Sequence, residues 1–117
     1  MPIKIIHQQI PKADLSDLEL KSKYGNLVKA VVDIKQAIMI AGMTMHSDGE
    51  GILLEKGSAQ EDLWGINLYL QETKDQWIDY DSVINLRPSQ GNESRGVDNP
   101  VIRDKIREII NQLIKQL

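Results

Sequence analysis

The chain contains no cysteine and no phenylalanine. The first absence excludes a disulfide framework, a thiolate metal site and a cysteine nucleophile. It fits a reducing compartment, so a cytoplasmic location is expected. The second absence, with only two tryptophans and three tyrosines, implies a core of Ile, Leu, Val and Met. It also implies a surface poor in the aromatic platforms on which bases stack. No apolar run approaches the roughly 20 residues of a membrane span; the longest runs from Ala37 to Met45. The segment Met1 to Ile6 is too short and too soon broken to read as a signal peptide. A strong excess of one charge is missing as well: 17 acidic and 14 basic residues leave a net charge of -3. Nucleic-acid binders usually show a basic excess instead. A membrane is therefore excluded as a partner, and a nucleic acid is disfavoured.

What is present is one domain's worth of chain. The 117 residues match a common domain size and can bury a core without staples. No repeat, low-complexity tract or linker divides them, so one α+β domain is expected over residues 1–117. Ile3 to Ile6 reads as an opening strand, broken at Ile10-Pro11. Asp14 to about Tyr24 reads as a helix stopped by Gly25-Asn26. Leu27 to Ile34 alternates as a half-buried strand. A tight turn at Lys35-Gln36 leads to a second strand, Ala37 to Met43. Ser47 and Glu50 suggest a capping box for a short helix ended by Gly57. Leu63 to Leu70 alternates again. Trp77 to Arg87 reads as a longer strand with Ile78, Tyr80, Ile84 and Leu86 inside and Asp79, Asp81, Asn85 and Arg87 outside. Asn99 caps a last helix with Pro100 in its first position. Its apolar stripe is Ile102, Ile106, Ile109, Ile110, Leu113 and Leu117. The expected fold is α+β: a mostly antiparallel sheet of four to five strands with about three helices, mainly on one face. The other face would carry Lys29, Asp33, Asn67, Asn85 and Arg87, open to solvent, a ligand or a second copy of the chain.

The densest polar chemistry lies between Arg87 and Val97. Arg87, Ser89, Gln90, Asn92, Ser94 and Arg95 are the candidate ligand-binding residues. Arginines supply forked donors for phosphate or carboxylate, and the loop leads into a helix N-terminus, which favours anions. The alternative is a loop whose side chains satisfy their own backbone. No Gly-Lys-Ser/Thr follows, so this is not a Walker loop. His46, Asp48 and Glu50 have side chains that ligate metals, but their spacing matches no metal motif and helix capping accounts for them. His7 is far away in sequence. No metal and no cofactor is implied. Asp62, within Gln60-Glu61-Asp62, is a candidate acid or base. Asp79 and Asp81 would stand about 7 Å apart on a strand, more simply read as solvated charge. Ser89 and Ser94 lack a base to activate them.

The blocks Val31-Val32-Asp33, His46-Ser47-Asp48, Leu53-Leu54-Glu55, Asp62 to Asn67 and Ile84 to Asn92 resemble those of a small bacterial family, domain-of-unknown-function family 5674. The resemblance runs from about Leu27 to the C-terminus. It implies a short stand-alone bacterial protein and no assigned reaction. Three functional readings follow. The leading one is a small binding protein that holds an anionic small molecule, or a partner's anionic group, at the Arg87–Arg95 loop. The second is a small hydrolase or transferase using Asp62 or His46 with the same loop. The third is a protein–protein interaction module.

Overall fold

The computed structural model describes residues 3–116. Met1, Pro2 and Leu117 lie outside the described residues, and with them part of the signal-peptide reading and the last position of the helical stripe. The element order is β1 (Lys4–Ile6), β2 (Ile10–Pro11), a 3-10 segment (Lys12–Leu18), β3 (Val28–Asp33), β4 (Ile38–Ala41) and α1 (His46–Glu55). Then follow a 3-10 turn (Gln60–Asp62), β5 (Leu63–Leu68), β6 (Ile78–Asp79), 3-10 turns at Val83–Asn85 and Pro88–Gln90, α2 (Pro100–Leu113) and β7 (Ile114–Lys115). The fold is α+β. Five strands pair antiparallel in the order β1-β4-β3-β5-β6. A separate two-stranded pair joins β2 to β7 in parallel and ties the start of the chain to the end of α2.

Strand alternation sorts the side chains onto two faces. Val28, Ala30, Val32, Met39, Ala41, Trp64, Ile66 and Leu68 face α2 and the 3-10 segment, where Leu15, Leu18, Ile106, Ile109, Ile110 and Leu113 complete the larger core. Val31, Ile40 and Leu63 face the other way and meet Met43 and Leu53 beneath α1. The second face is therefore covered in part, by α1 and by the Val83–Asn85 turn. Gly49 lets α1 sit down: a Cβ there would stand 2.5 Å from Met43 Cε. Asn99 caps α2 through the Val101 N–H at 2.9 Å, with Pro100 in the first turn, as the sequence predicts.

Three local expectations are corrected. The Asp14–Tyr24 helix is instead the 3-10 segment Lys12–Leu18, followed by an extended stretch in which Leu20 bridges Leu27. Ser22 and Gly25 turn the chain there, with Ser22 Oγ bonding the Gly25 carbonyl. Ser47 is not the cap of α1; the helix begins at His46 with Met45 as its N-cap and no side-chain cap. The Trp77–Arg87 strand stops at Asp79. Ser82 caps the next turn by accepting from the Ile84 N–H, so Tyr80 and Ile84 pack against opposite cores.

The β3–β4 turn works without glycine because Asp33 closes it. Its carboxylate accepts from the Lys35 and Gln36 N–H groups at 2.9 and 3.0 Å, and from the Ser58 hydroxyl at 2.6 Å. Burial would push this carboxyl up, but the hydrogen bonds from Ser58, Gln36 and Lys35 outweigh it and hold it below its usual range.

Candidate functional site

Most of the predicted anion loop is occupied with its own fold. Arg87 points inward with its side chain 9% exposed. Its Nε donates to the Ile84 carbonyl at 2.9 Å, one terminal nitrogen donates to the Gln60 carbonyl at 2.9 Å, and the other reaches the Leu63 carbonyl. Glu50 stands 3.6 Å away and the Trp64 ring lies beneath the guanidinium. Burial pushes the Arg87 guanidinium down from its ordinary pKa, and Glu50 opposes that shift. Asn92 is buried and bonds the Asn85, Ser94 and Gly96 carbonyls while accepting from the Asp98 N–H. Gln90 donates to the Glu61 carbonyl, and Ser94 donates to Asp98. Ser89 is exposed. Arg95 alone of the six lines a cleft on the α1 side of the sheet, where it forms a two-pronged pair with Asp81 at 3.1 and 3.2 Å.

That cleft occupies about 470 Å³ on the half-covered face of the sheet. Lys29 of β3, with Asn67 and Tyr69 at the end of β5, contribute from the sheet. The start of α1 contributes Met45, His46 and Ser47, and the strand-to-turn segment contributes Asp79, Asp81, Ser82, Val83 and Ile84. Lys23, Tyr24 and Leu27 close the remaining side. Ser82 can approach because residue 65 is glycine: a Cβ there would lie 2.5 Å from Ser82 Oγ.

Three buried polar side chains line this space, His46, Asn67 and Ser82. His46 is 7% exposed, and its Nε2 lies 2.8 Å from the Ile66 carbonyl. A carbonyl only accepts, so Nε2 carries the proton, and the neutral ring presents Nδ1 as an acceptor. Burial pushes the His46 pKa down and Lys29 adds to that; the Ile66 carbonyl, Asp81 and Asn67 pull the other way without reversing it. Asn67 is 6% exposed. Its Nδ2 donates to Asp79 Oδ2 at 3.0 Å and to the Asp81 carbonyl at 2.9 Å, which fixes the amide orientation. Its Oδ1 is buried without a partner. Leaving such an atom unpaired costs about 1–3 kcal/mol.

The charged groups around the opening are Lys23, Lys29 and Arg95 against Asp79 and Asp81. The N-terminus of α1, which no side chain caps, adds partial positive charge. Tyr24, Met45 and Val83 are 79%, 60% and 66% exposed and form an apolar rim. The opening is thus apolar at its lip, with acceptors and cations together on its floor, since Lys29 is the cross-strand partner of Asn67 and His46 is the first residue of α1.

The other sequence candidates do not converge here. Asp62 and Glu61 belong to the turn that Arg87 and Gln90 hold. Glu50 is bound up with Arg87, and Asp48 is exposed. Among the described residues no three His, Asp or Glu side chains group as metal ligands. His46 reaches the cleft, separated from Asp48 and Glu50. The alternation in β3 and β5 had placed Lys29 and Asn67 on a polar face, but nothing local marked Tyr24, Met45 or Val83 as their neighbours.

A family model described as "Protein of unknown function (DUF5674)" matches residues 4–113. The chain belongs to this family. Its description assigns the DUF5674 family no activity. No curated protein and no solved structure matches the chain. Among the described residues no helix is long and apolar enough to cross a membrane.

Proposed function

We propose that this DUF5674 member binds a small amphipathic molecule carrying an anionic group, and that the ligand sits in the cleft between α1, β5 and the Asp79–Ile84 segment. The observation that supports the place of the ligand is the buried, unpartnered Oδ1 of Asn67 at the floor of an opening with an exposed apolar rim, and the cations Lys23, Lys29 and Arg95 around it support the anionic group. Buried polar atoms in folded proteins are nearly always satisfied, and small-molecule sites combine apolar walls with a few convergent polar groups. Lys23, Lys29, Arg95 and the uncapped start of α1 supply the attraction for the anion. In this reading Arg95 is the loop residue that faces the ligand. Arg87, Gln90, Asn92 and Ser94 serve the site by holding the loop that presents Arg95.

The test is a fragment screen followed by backbone amide shifts in NMR. Anionic fragments with an apolar body are expected to move the amides of Met45, His46, Ser47 and Asn67, and Lys29→Met is expected to weaken them. Shifts confined to residues 88–94, or to the α2 face, would count against the cleft.

A further inference from the structure

We infer that anion binding in the cleft is coupled to uptake of a proton by His46, so that the ligand is held by an imidazolium together with Lys29. This names a regulation of the site proposed above and rests on that reading.

His46 is the first residue of α1, and its ring sits where the charged form has hydrogen-bond partners but lacks a counter-charge. Nε2 gives its proton to the Ile66 carbonyl at 2.8 Å. Asn67, the next residue of β5, acts on the same ring, and its buried Oδ1 has no donor. The Asn67 amide cannot be reversed, because Nδ2 is spent on Asp79 Oδ2 and on the Asp81 carbonyl. A neutral ring offers that oxygen nothing, since Nδ1 then carries only a lone pair. A second N–H appears on Nδ1 when the ring is protonated. It is the donor that an unpaired acceptor beside the ring would take.

Three effects oppose the charge. Burial disfavours it, and Lys29, the cross-strand partner of Asn67, repels it. The uncapped start of α1 adds partial positive charge at the same place. The carboxylates nearby are already engaged. Asp81 favours the imidazolium but is paired with Arg95, and Asp79 accepts from Asn67. On α1 itself, Glu50 faces Arg87 and Asp48 is exposed. Tyr69 keeps its proton, since burial pushes its pKa up, and Lys23 across the opening adds a further cation. An anion in the cleft cancels the repulsion from Lys29 and from the start of α1 together, and an opposite charge a few ångströms away favours the charged ring. The proton comes from solvent, one for each ligand bound.

The experiment titrates benzenesulfonate, which stays ionised throughout, and the uncharged benzenesulfonamide into the full chain, followed by NMR at pH values from about 5 to about 8. Uptake of one proton lets affinity rise by up to about tenfold for each unit of pH lowered. Benzenesulfonate is expected to bind in the cleft at least about fivefold more tightly at the acid end than at the alkaline end. Saturation with it is expected to move the titration of the His46 ring to higher pH, whereas the sulfonamide leaves that titration in place. His46→Gln, which cannot titrate, is expected to bind benzenesulfonate with an affinity independent of pH. If that variant fails to fold, the ring titration of the unaltered protein decides. A cleft affinity independent of pH, a pH dependence that persists in His46→Gln, or a ring titration unmoved by benzenesulfonate would overturn the coupling and leave anion binding standing. Failure of benzenesulfonate and of every other anionic fragment to enter the cleft would overturn both readings.

Discussion

The side chain of Asn85 stands where a neighbouring strand would be, giving its Nδ2 to the Gly65 carbonyl at 2.9 Å and taking the Gly65 N–H on its Oδ1 at 2.8 Å. β6 pairs with β5 only at Asn67 and Leu68. Below that point one amide completes the ladder. Its Nδ2 also lies within bonding distance of the Tyr80 and Arg95 carbonyls, so it sets the path of the segment that walls the cleft.

Asn85→Leu therefore leaves several buried backbone groups unpaired. It is expected to cost about 3–5 kcal/mol, several times an ordinary exposed hydrogen bond. Urea titration checks this. A loss below about 1 kcal/mol would mean that water replaces the amide without difficulty. Gly65→Ala tests the same contact from the other side and is expected to displace Ser82, visible as shifted amides from Asp81 to Asn85.

The two arginines of the loop should separate in the same assay. Arg87→Ala removes a buried cation that serves three carbonyls and faces Glu50, which would be left behind with an unpaired charge. A loss of about 3–5 kcal/mol is expected. Arg95→Ala breaks a pair whose members are more than half exposed, and a loss under about 1 kcal/mol is expected. Similar losses for both would contradict the division into a structural and a cleft arginine.

The sequence made the large periodic elements legible and hid the short-range polar ones. The stripe of α2, the cap at Asn99 and the alternation in β3 and β5 are repeated signals tied to burial, and each appears where its period places it. Residues 77–87 alternate just as well, yet Ser82 and Asn85 bond the backbone and end the strand after Asp79. Periodicity does not register a side chain that substitutes for a strand. The Arg87–Arg95 loop shows a related limit: composition reports donors, but not that nearby carbonyls already take those of Arg87, Gln90 and Asn92. His46 was legible as a chemical candidate. Its partners in the cleft come from four separate stretches of chain, and only folding brings those together.

The helix stripe carries its own prediction. Ile106 and Ile110 are fully buried against the sheet, so alanine at either is expected to cost about 2–5 kcal/mol. Denaturant midpoints that barely move would show a helix packed loosely against β3, β4 and β5.

His46 should leave a mark on the pH dependence of stability. Its pKa in the folded protein lies below the ordinary value of 6.5, so below that value the unfolded chain holds more protons than the folded one. Stability from neutral His46 is then fully present above about 6.5, falls as the pH drops, and levels off once the folded ring also protonates. His46→Gln is expected to remove this slope between pH 7 and 5. An unchanged slope in the variant would assign it to other groups.

The most direct measurement of the central claim follows side-chain resonances while an anionic, apolar-bodied fragment such as hydrocinnamate is titrated into labelled protein. Cleft binding predicts that the Asn67 side-chain amide and the His46 ring signals move in proportion to occupancy, while the Arg87 Nε–H stays still because its partners are carbonyls of its own chain. Movement of Arg87 Nε–H with Asn67 and His46 unmoved would contradict the account and return the site to the Arg87–Arg95 loop.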